Sequence, residues 1–315
     1  MALTRSGISR GTAKVTWNGG TFFSREDINL RALPQWMPLQ TAVHGVIDQV
    51  RKDFSVKVTL RLWGAYENLA ILFPSGATTP VPGTGIFGTA DLPLVILARN
   101  GDQFTIHNAQ ITKLADLYLG VDDEIFAADV EFTGVIADGK NPEEASAYYT
   151  VVTGAVYADA TFAKTNFKAQ RYSAAWGAVG GFTAFQAEKG WRVNWSYALE
   201  PAYSANIGTY DMILQNFEGE ARCIPIGQPT IANLEAAANA GAGGANVLGH
   251  LLSGGATAAA DLVITGSGVS VTLKAAGITE HGHTFGSKST RLGETVWKTT
   301  VGFTTGTAAA RAVLA

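Results

Sequence analysis

Cysteine, charge and long apolar runs are all scarce in this chain. Among its 315 residues there is one cysteine, Cys223, so no disulfide can form within a chain and the fold does not rest on oxidation. Charged residues make up 16%, against about 25% in an average soluble domain. So few charges cover little surface, which points to surface hidden in an oligomer. Net charge is −3, and the 23 lysines and arginines are scattered. A protein that grips duplex DNA needs clustered cations to displace counterions, so tight DNA binding is not expected, although passing contact is compatible with this composition. No run of 18 apolar residues occurs, which predicts no transmembrane helix and no membrane anchoring. The opening residues Met1-Ala2-Leu3-Thr4-Arg5 lack the apolar core of a secretory signal, so synthesis and assembly in a cytoplasm are expected.

Hydrophobic residues reach 47% and glycines number 36, enough apolar material for a sizeable core with many tight turns. Four blocks of sequence recur in the same order, the signature of an internal repeat. Residues 38–64 align without a gap on 201–227, with Pro38/Pro201, Ala42/Ala205, Gly45/Gly208, Asp48/Asp211, Phe54/Phe217 and Gly64/Gly227 identical. Asn68-Leu69 matches Asn233-Leu234. Residues 104–112 match 271–279 through Thr105/Thr272, Ala109/Ala276, Ile111/Ile278 and Thr112/Thr279. Residues 125–133 match 296–304 through Val130/Val301, Phe132/Phe303 and Thr133/Thr304. A tandem duplication is expected: an N-terminal arm 1–11, a first copy 12–134, a joining segment 135–173, a second copy 174–304 and a C-terminal tail 305–315.

Within each copy the pattern is mainly β. Residues 54–62 alternate strictly, with Phe54, Val56, Val58, Leu60 and Leu62 on one side and Ser55, Lys57, Thr59 and Arg61 on the other, as in a half-buried strand. The second copy keeps Glu218, Glu220 and Arg222 on its polar side and places Cys223 on its apolar side, which predicts a buried, inert thiol. Residues 94–98, Asn100-Gly101 and residues 104–106 predict a hairpin on a two-residue turn. Residues 262–273, interrupted by Gly266-Ser267-Gly268, predict its counterpart. Residues 126–132 and 297–303 read as further strands. One helix per copy is expected, at 65–73 before Pro74 and at 231–240 before Gly241. The fold class is therefore mainly β (α+β), two β-sandwich or barrel domains each with about one helix. The Pro/Gly-rich 75–88 and Gly/Ala-rich 241–260 are expected to be loops or arms that order on a neighbour.

Candidate chemistry is thin. Gly83-Thr-Gly85-Ile-Phe-Gly88 fits the dinucleotide fingerprint by letter, but prolines 80, 82 and 93 leave no room for the helix whose N-terminus would hold the phosphates. His281-Gly-His283 puts two imidazoles on one side of a strand. A metal needs three or four ligands, and Glu280 is the only helper nearby in sequence, so no metal and no cofactor are expected. Asp122-Asp123-Glu124 lacks calcium-loop spacing and reads as a solvated turn. No G-x-S-x-G elbow or nucleophile–base pairing is evident. The seven tryptophans suit sugar stacking or core packing, and the second is the commoner use on strands.

The order of features in 53–74 and 85–134 resembles phage major tail proteins, the tail tube proteins of long non-contractile tails. It comprises an alternating strand ending at Trp63-Gly64, a short helix running into Pro74, then Ile86-Phe87-Gly88, the strand 93–98, His107-Asn108-Ala109-Gln110-Ile111-Thr112-Lys113, and Glu131-Phe132-Thr133-Gly134. The resemblance implies two packed sheets flanked by a helix. It also implies subunits joined edge to edge into rings that stack as a virion tail tube, through which DNA passes without being held. Members carry one such domain and form six-membered rings. Two copies here lead to a homotrimeric, pseudo-hexameric ring, or to six chains if the repeat is illusory. Tail terminator, tape measure and baseplate proteins become the expected partners, and no catalysis is implied. Candidate lumen residues are the polar sides of the long strands: Lys57, Thr59, Arg61, Glu218, Glu220 and Arg222. Readings that stay open are a terminator, baseplate ring or secretion-tube component of the same fold, a glycan-binding β-sandwich, and a hydrolase.

Overall fold

The computed structural model describes residues 13–24, 27–64, 72–73, 82–88, 91–120, 127–157, 172–176, 182–227, 229–238, 260–266, 269–285, 290–299 and 312–314. The chain is predominantly β, and its strands form one connected antiparallel network.

Its backbone is a long eight-stranded sheet. The first half contributes β3 (Asn29–Thr41), β4 (Gly45–Gly64), β8 (Ala127–Val135) and β7 (Asn108–Leu119), hydrogen-bonded in that spatial order. β7 then pairs with β12 (Trp191–Ser204) of the second half, followed by β13 (Gly208–Cys223), β17 (Thr290–Thr299) and β16 (Val269–Phe285).

Shorter strands make a second layer in each half. In the first, β2 (Gly20–Ser24), β1 (Lys14–Trp17), β5 (Leu94–Leu97), β6 (Gln103–Ile106) and β9 (Tyr149–Val152) pair in sequence. In the second, β14 (Pro225–Gly227), β11 (Phe185–Ala187), β10 (Ser173–Trp176) and β15 (Ala260–Gly266) lead to the start of β16 and to β18 (Ala312–Leu314). The helix α1 (Ile231–Ala238) packs on β16.

Alternation decides which face is buried. On β4, Val56, Val58, Leu60 and Leu62 enter the core with Ile111, Leu114, Val130 and Phe132 of the neighbouring strands. Each such side chain contributes about 1.5–3 kcal/mol of burial. In the second half Trp176, Phe182, Phe185, Trp191 and Trp297 form an aromatic cluster in the same layer. Five of the seven tryptophans (Trp17, Trp176, Trp191, Trp195, Trp297) are buried, so they serve the core and are not free to stack on a sugar. Cys223 is buried as expected, and burial pushes its thiol pKa well up.

The two halves share irregularities as well as strands. The β3–β4 ladder shifts register at Gln35/Trp36 and Leu39/Gln40, and β12–β13 shifts at Ala198/Leu199 and Ala202/Tyr203, each 163 positions later (198 − 35 and 202 − 39). Trp17 donates its indole N–H to the carbonyl of Ala109 at 2.9 Å, and Trp176 donates to that of Ala276 at 2.7 Å. β7–β8 and β16–β17 both skip a residue, at Ile111/Lys113 and Ile278/Glu280.

Several expectations need adjusting. The strand over 54–62 is the inner half of the 20-residue β4, whose outer part continues past the core. Asn100-Gly101 lies in a five-residue connection closed by Ala98 and Asp102, with only Gly101 at positive φ (+89°). The two-residue Asn-Gly turn is instead Asn18-Gly19 (φ +46° and +77°) between β1 and β2. Phe132 lies opposite Val58, and Trp297 lies opposite Ala221, 163 positions after Val58 (221 − 58), whereas residues 300–304 of the fourth expected repeat block lie outside the described residues. β9, inside the segment expected to join the copies, pairs with β6. Helix α1 covers the second predicted helix. The first lies outside the described residues except for Leu72 and Phe73, both fully buried, and the acidic turn 122–124 lies outside them too.

Candidate functional site

The polar face of the eight-stranded sheet is the surface that all six candidate residues share. Lys57, Thr59 and Arg61 stand on β4, and Glu218, Glu220 and Arg222 on β13, with β8, β7 and β12 between them. Period-two alternation puts the apolar partners of both triplets in the core and leaves the charged ones outside.

Most of these charges sit in ion pairs, while Glu218 accepts from the side-chain amide of Asn216 at 3.4 Å. Lys57 Nζ lies 2.8 Å from Glu131 Oε1, and Arg61 Nε 3.9 Å from Asp129 Oδ1. Arg222 pairs with Glu220 and reaches Glu294 at 3.6 Å, while Lys298 Nζ meets the other oxygen of Glu220 at 3.2 Å. A face on which cations neutralise carboxylates across the ladder presents little net field to a polyanion. Exposed pairs of this kind stabilise the fold by no more than about 1 kcal/mol each, so their main effect is on the character of the surface.

Where the halves meet, the pairing tightens. β7 and β12 run antiparallel with Asp116 opposite Asn194 and Tyr118 opposite Arg192. Arg192 donates to both carboxylate oxygens of Asp116, at 3.0 and 2.8 Å, and Asn194 adds a donor at 3.2 Å. Such a fork-to-carboxylate pair fixes geometry as well as energy. Burial pushes the Asp116 carboxyl up, but the donors Arg192 and Asn194 and the Arg192 charge outweigh it and hold its pKa below the ordinary value. Two guanidinium groups lie over the Tyr118 ring, Arg61 at 4.7 Å and Arg192 at 5.7 Å from its centre, within cation–π range.

Two more contacts span the halves. Asp53, at the inner end of the β3–β4 hairpin, accepts from the amide and hydroxyl of Thr209. The Gly83 amide donates to the Leu214 carbonyl, the Leu214 amide to the Thr84 carbonyl and the Ile86 amide to the Met212 carbonyl, and Asp211 accepts from the amide of Phe87 at 3.0 Å. The Gly-rich fingerprint thus lies along β13, with Gly85 bridging Ile213.

Sequence reasoning picked out both charged triplets but missed Asp116, Arg192, Asn194, Asp53 and Thr209. Their partners are 76 to 156 positions away, and no local pattern signals such pairs. It also missed Glu235, which the fold brings to His281 and His283. No protein-family model matches the chain, and no match was found among curated proteins. No helix among the described residues is long and apolar enough to cross a membrane.

Proposed function

We propose that the chain is a structural virion protein: two tail-tube-like halves in tandem, three chains closing a pseudo-hexameric ring, and rings stacking into the tube through which phage DNA is ejected. The observation that carries this reading is the β7–β12 joint. Inside the chain, the edge of one half's sheet is closed by the start of the other half's long hairpin. The counterparts of these two edges are the last residues of β16 and the first residues of β3. Among the described residues neither has a strand on its outer side.

Pairing the end of β16 with the start of β3 in the next chain repeats the internal joint between chains. Unpaired edges seek partners, and a head-to-tail contact whose rotation closes gives a ring. The coincident register shifts and Trp indole bonds support equivalence of the two halves, and so does the resemblance noted in the sequence.

Stacking would use the hairpins. β3–β4 and β12–β13 project beyond the core and expose apolar side chains, among them Trp36 (55% exposed), Met37, Val46, Ile47, Tyr203 and Tyr210. Contiguous exposed apolar surface marks an interaction site. On this reading the charge-paired sheet face lines the lumen, where a balanced surface would let DNA slide.

The test is a cross-link across the proposed interchain joint. Cysteines at Asn29→Cys and Thr284→Cys, joined by a short bis-maleimide that tolerates a register offset, should give a ladder of chains ending at the trimer. Cys223 is buried and should stay silent. A ladder running to six would keep the tube and remove the trimer. No interchain product in assembled material would remove the joint itself.

A further inference from the structure

We propose that Glu235, His281 and His283 form a binding site for one divalent transition-metal ion of the zinc class. The proposal is independent of the tube reading.

Each ligand is placed by a separate piece of local structure. Helix α1 begins at a reciprocal cap: Thr230 Oγ1 accepts from the amide of Asn233 at 3.2 Å, and Asn233 Oδ1 accepts from the amide of Thr230 at 3.1 Å. Leu234, fully buried, seats the helix on the sheet, and the next residue, Glu235, reaches over β16. On β16 the two histidines are separated by one residue and so point the same way. The residue between them is Gly282, tight against Gly293, where an added Cβ would lie 2.8 Å from the Gly282 carbonyl carbon.

The three side chains converge. His281 Nε2 lies 3.1 Å and His283 Nε2 2.6 Å from the same oxygen, Glu235 Oε1, and the donor atoms all fall within 4.8 Å of one another. Tetrahedral zinc with bonds of about 2.0–2.2 Å holds its ligand atoms about 3.3 Å apart, so a small opening of the cluster accommodates the ion. Two neutral imidazoles and one carboxylate form the borderline nitrogen–oxygen set that zinc and its first-row neighbours prefer. Calcium and magnesium favour all-oxygen cages. Glu235 and His281 remain partly open to solvent, which leaves the fourth position for water.

Both imidazole Nε2 atoms aim at a single carboxylate oxygen, the convergence on one point that a shared ion requires. With the ion bound, α1 and β16 are cross-linked through a group stronger than either hydrogen bond.

The experiment uses the full chain without a histidine tag, stripped by chelator and titrated with zinc against a chromophoric competitor. Cobalt is then substituted as a spectroscopic reporter. The expected result is one equivalent per chain, with visible cobalt absorption of four-coordinate type. His283→Ala and, separately, His281→Gln should each weaken zinc binding at least about tenfold. Circular dichroism identifies any variant that fails to fold. The wild-type cobalt spectrum decides the matter without variants. Absence of a stoichiometric site in the wild type, or affinity unchanged in both folded variants, would overturn the proposal.

Discussion

Asp53 and Thr209, 156 positions apart, are joined by two hydrogen bonds: the Thr209 amide donates to Oδ1 at 3.1 Å and its hydroxyl to Oδ2 at 2.6 Å. Both residues are buried, so the contact fixes how the long hairpin of one half sits against that of the other. Asp53→Ala would strand three donors in a buried site, the amide and hydroxyl of Thr209 and the amide of Phe54, at a cost of about 1–3 kcal/mol. Thr209→Val removes only one donor and should cost about 1 kcal/mol. Denaturant unfolding of the two variants measures this. Equal and negligible effects would show that the contact does not hold the halves together.

Gly208 and Gly45 make a controlled comparison. Both have positive φ, +85° and +67°, and both start the second strand of a long hairpin. A Cβ at Gly45 meets nothing within 4 Å, whereas one at Gly208 collides with the Asp53 carboxylate. Gly45→Ala should therefore cost about 1 kcal/mol and Gly208→Ala about 2–4 kcal/mol, read as a larger loss of unfolding free energy for Gly208→Ala.

The Asp116–Arg192 pair should appear in the pH dependence of stability. Its carboxyl pKa is depressed below 3.8 in the folded chain. That contribution is present above the unfolded value and is lost as pH falls through the lower folded value. Unfolding free energies of the wild type and Asp116→Asn, measured from pH 6 downwards, should differ most at the upper end and converge only as pH falls through the depressed folded value. A difference that is constant across that window would mean the shift is absent.

Charge balance on the sheet face should govern its behaviour toward DNA. Glu131→Gln, Glu220→Gln and Glu294→Gln together leave Lys57, Arg222 and Lys298 without their carboxylates. The triple variant should retain duplex DNA at low salt and release it steeply as salt rises, while the wild type should not retain it. Equal weak binding by both in a mobility-shift assay would separate the charge pairing from any role in passing DNA.

What the sequence made legible follows from where a core enforces a pattern. Residues 54–62 could be read because Val56, Val58 and Leu60 must be inside and Lys57 and Thr59 outside. The outer half of β4 could not, since Val46, Ile47 and Val50 are all exposed and a hairpin that leaves the core has no inner face to set a period. β3 is not among the strands expected from the sequence; it carries Pro34 and Pro38, which a sheet edge tolerates because a missing N–H costs little there. The last repeat block is placed by letter, because Val-Gly-Phe-Thr-Thr at 301–305 and Val-Glu-Phe-Thr-Gly at 130–134 are alike, whereas hydrogen-bond register places Trp297 opposite Ala221 as it places Phe132 opposite Val58. Glu235 was invisible as a partner of His281 and His283 because it lies 46 positions before the first of them.

The most direct measurement of the central claim is electron microscopy of the assembled protein with symmetry determined from the images. The account predicts hollow tubes of stacked rings, three chains and six similar lobes per ring, with the charge-paired sheet face inward. Rings built of six chains, or a chain that stays monomeric under conditions where tubes should grow from a supplied end, would contradict it.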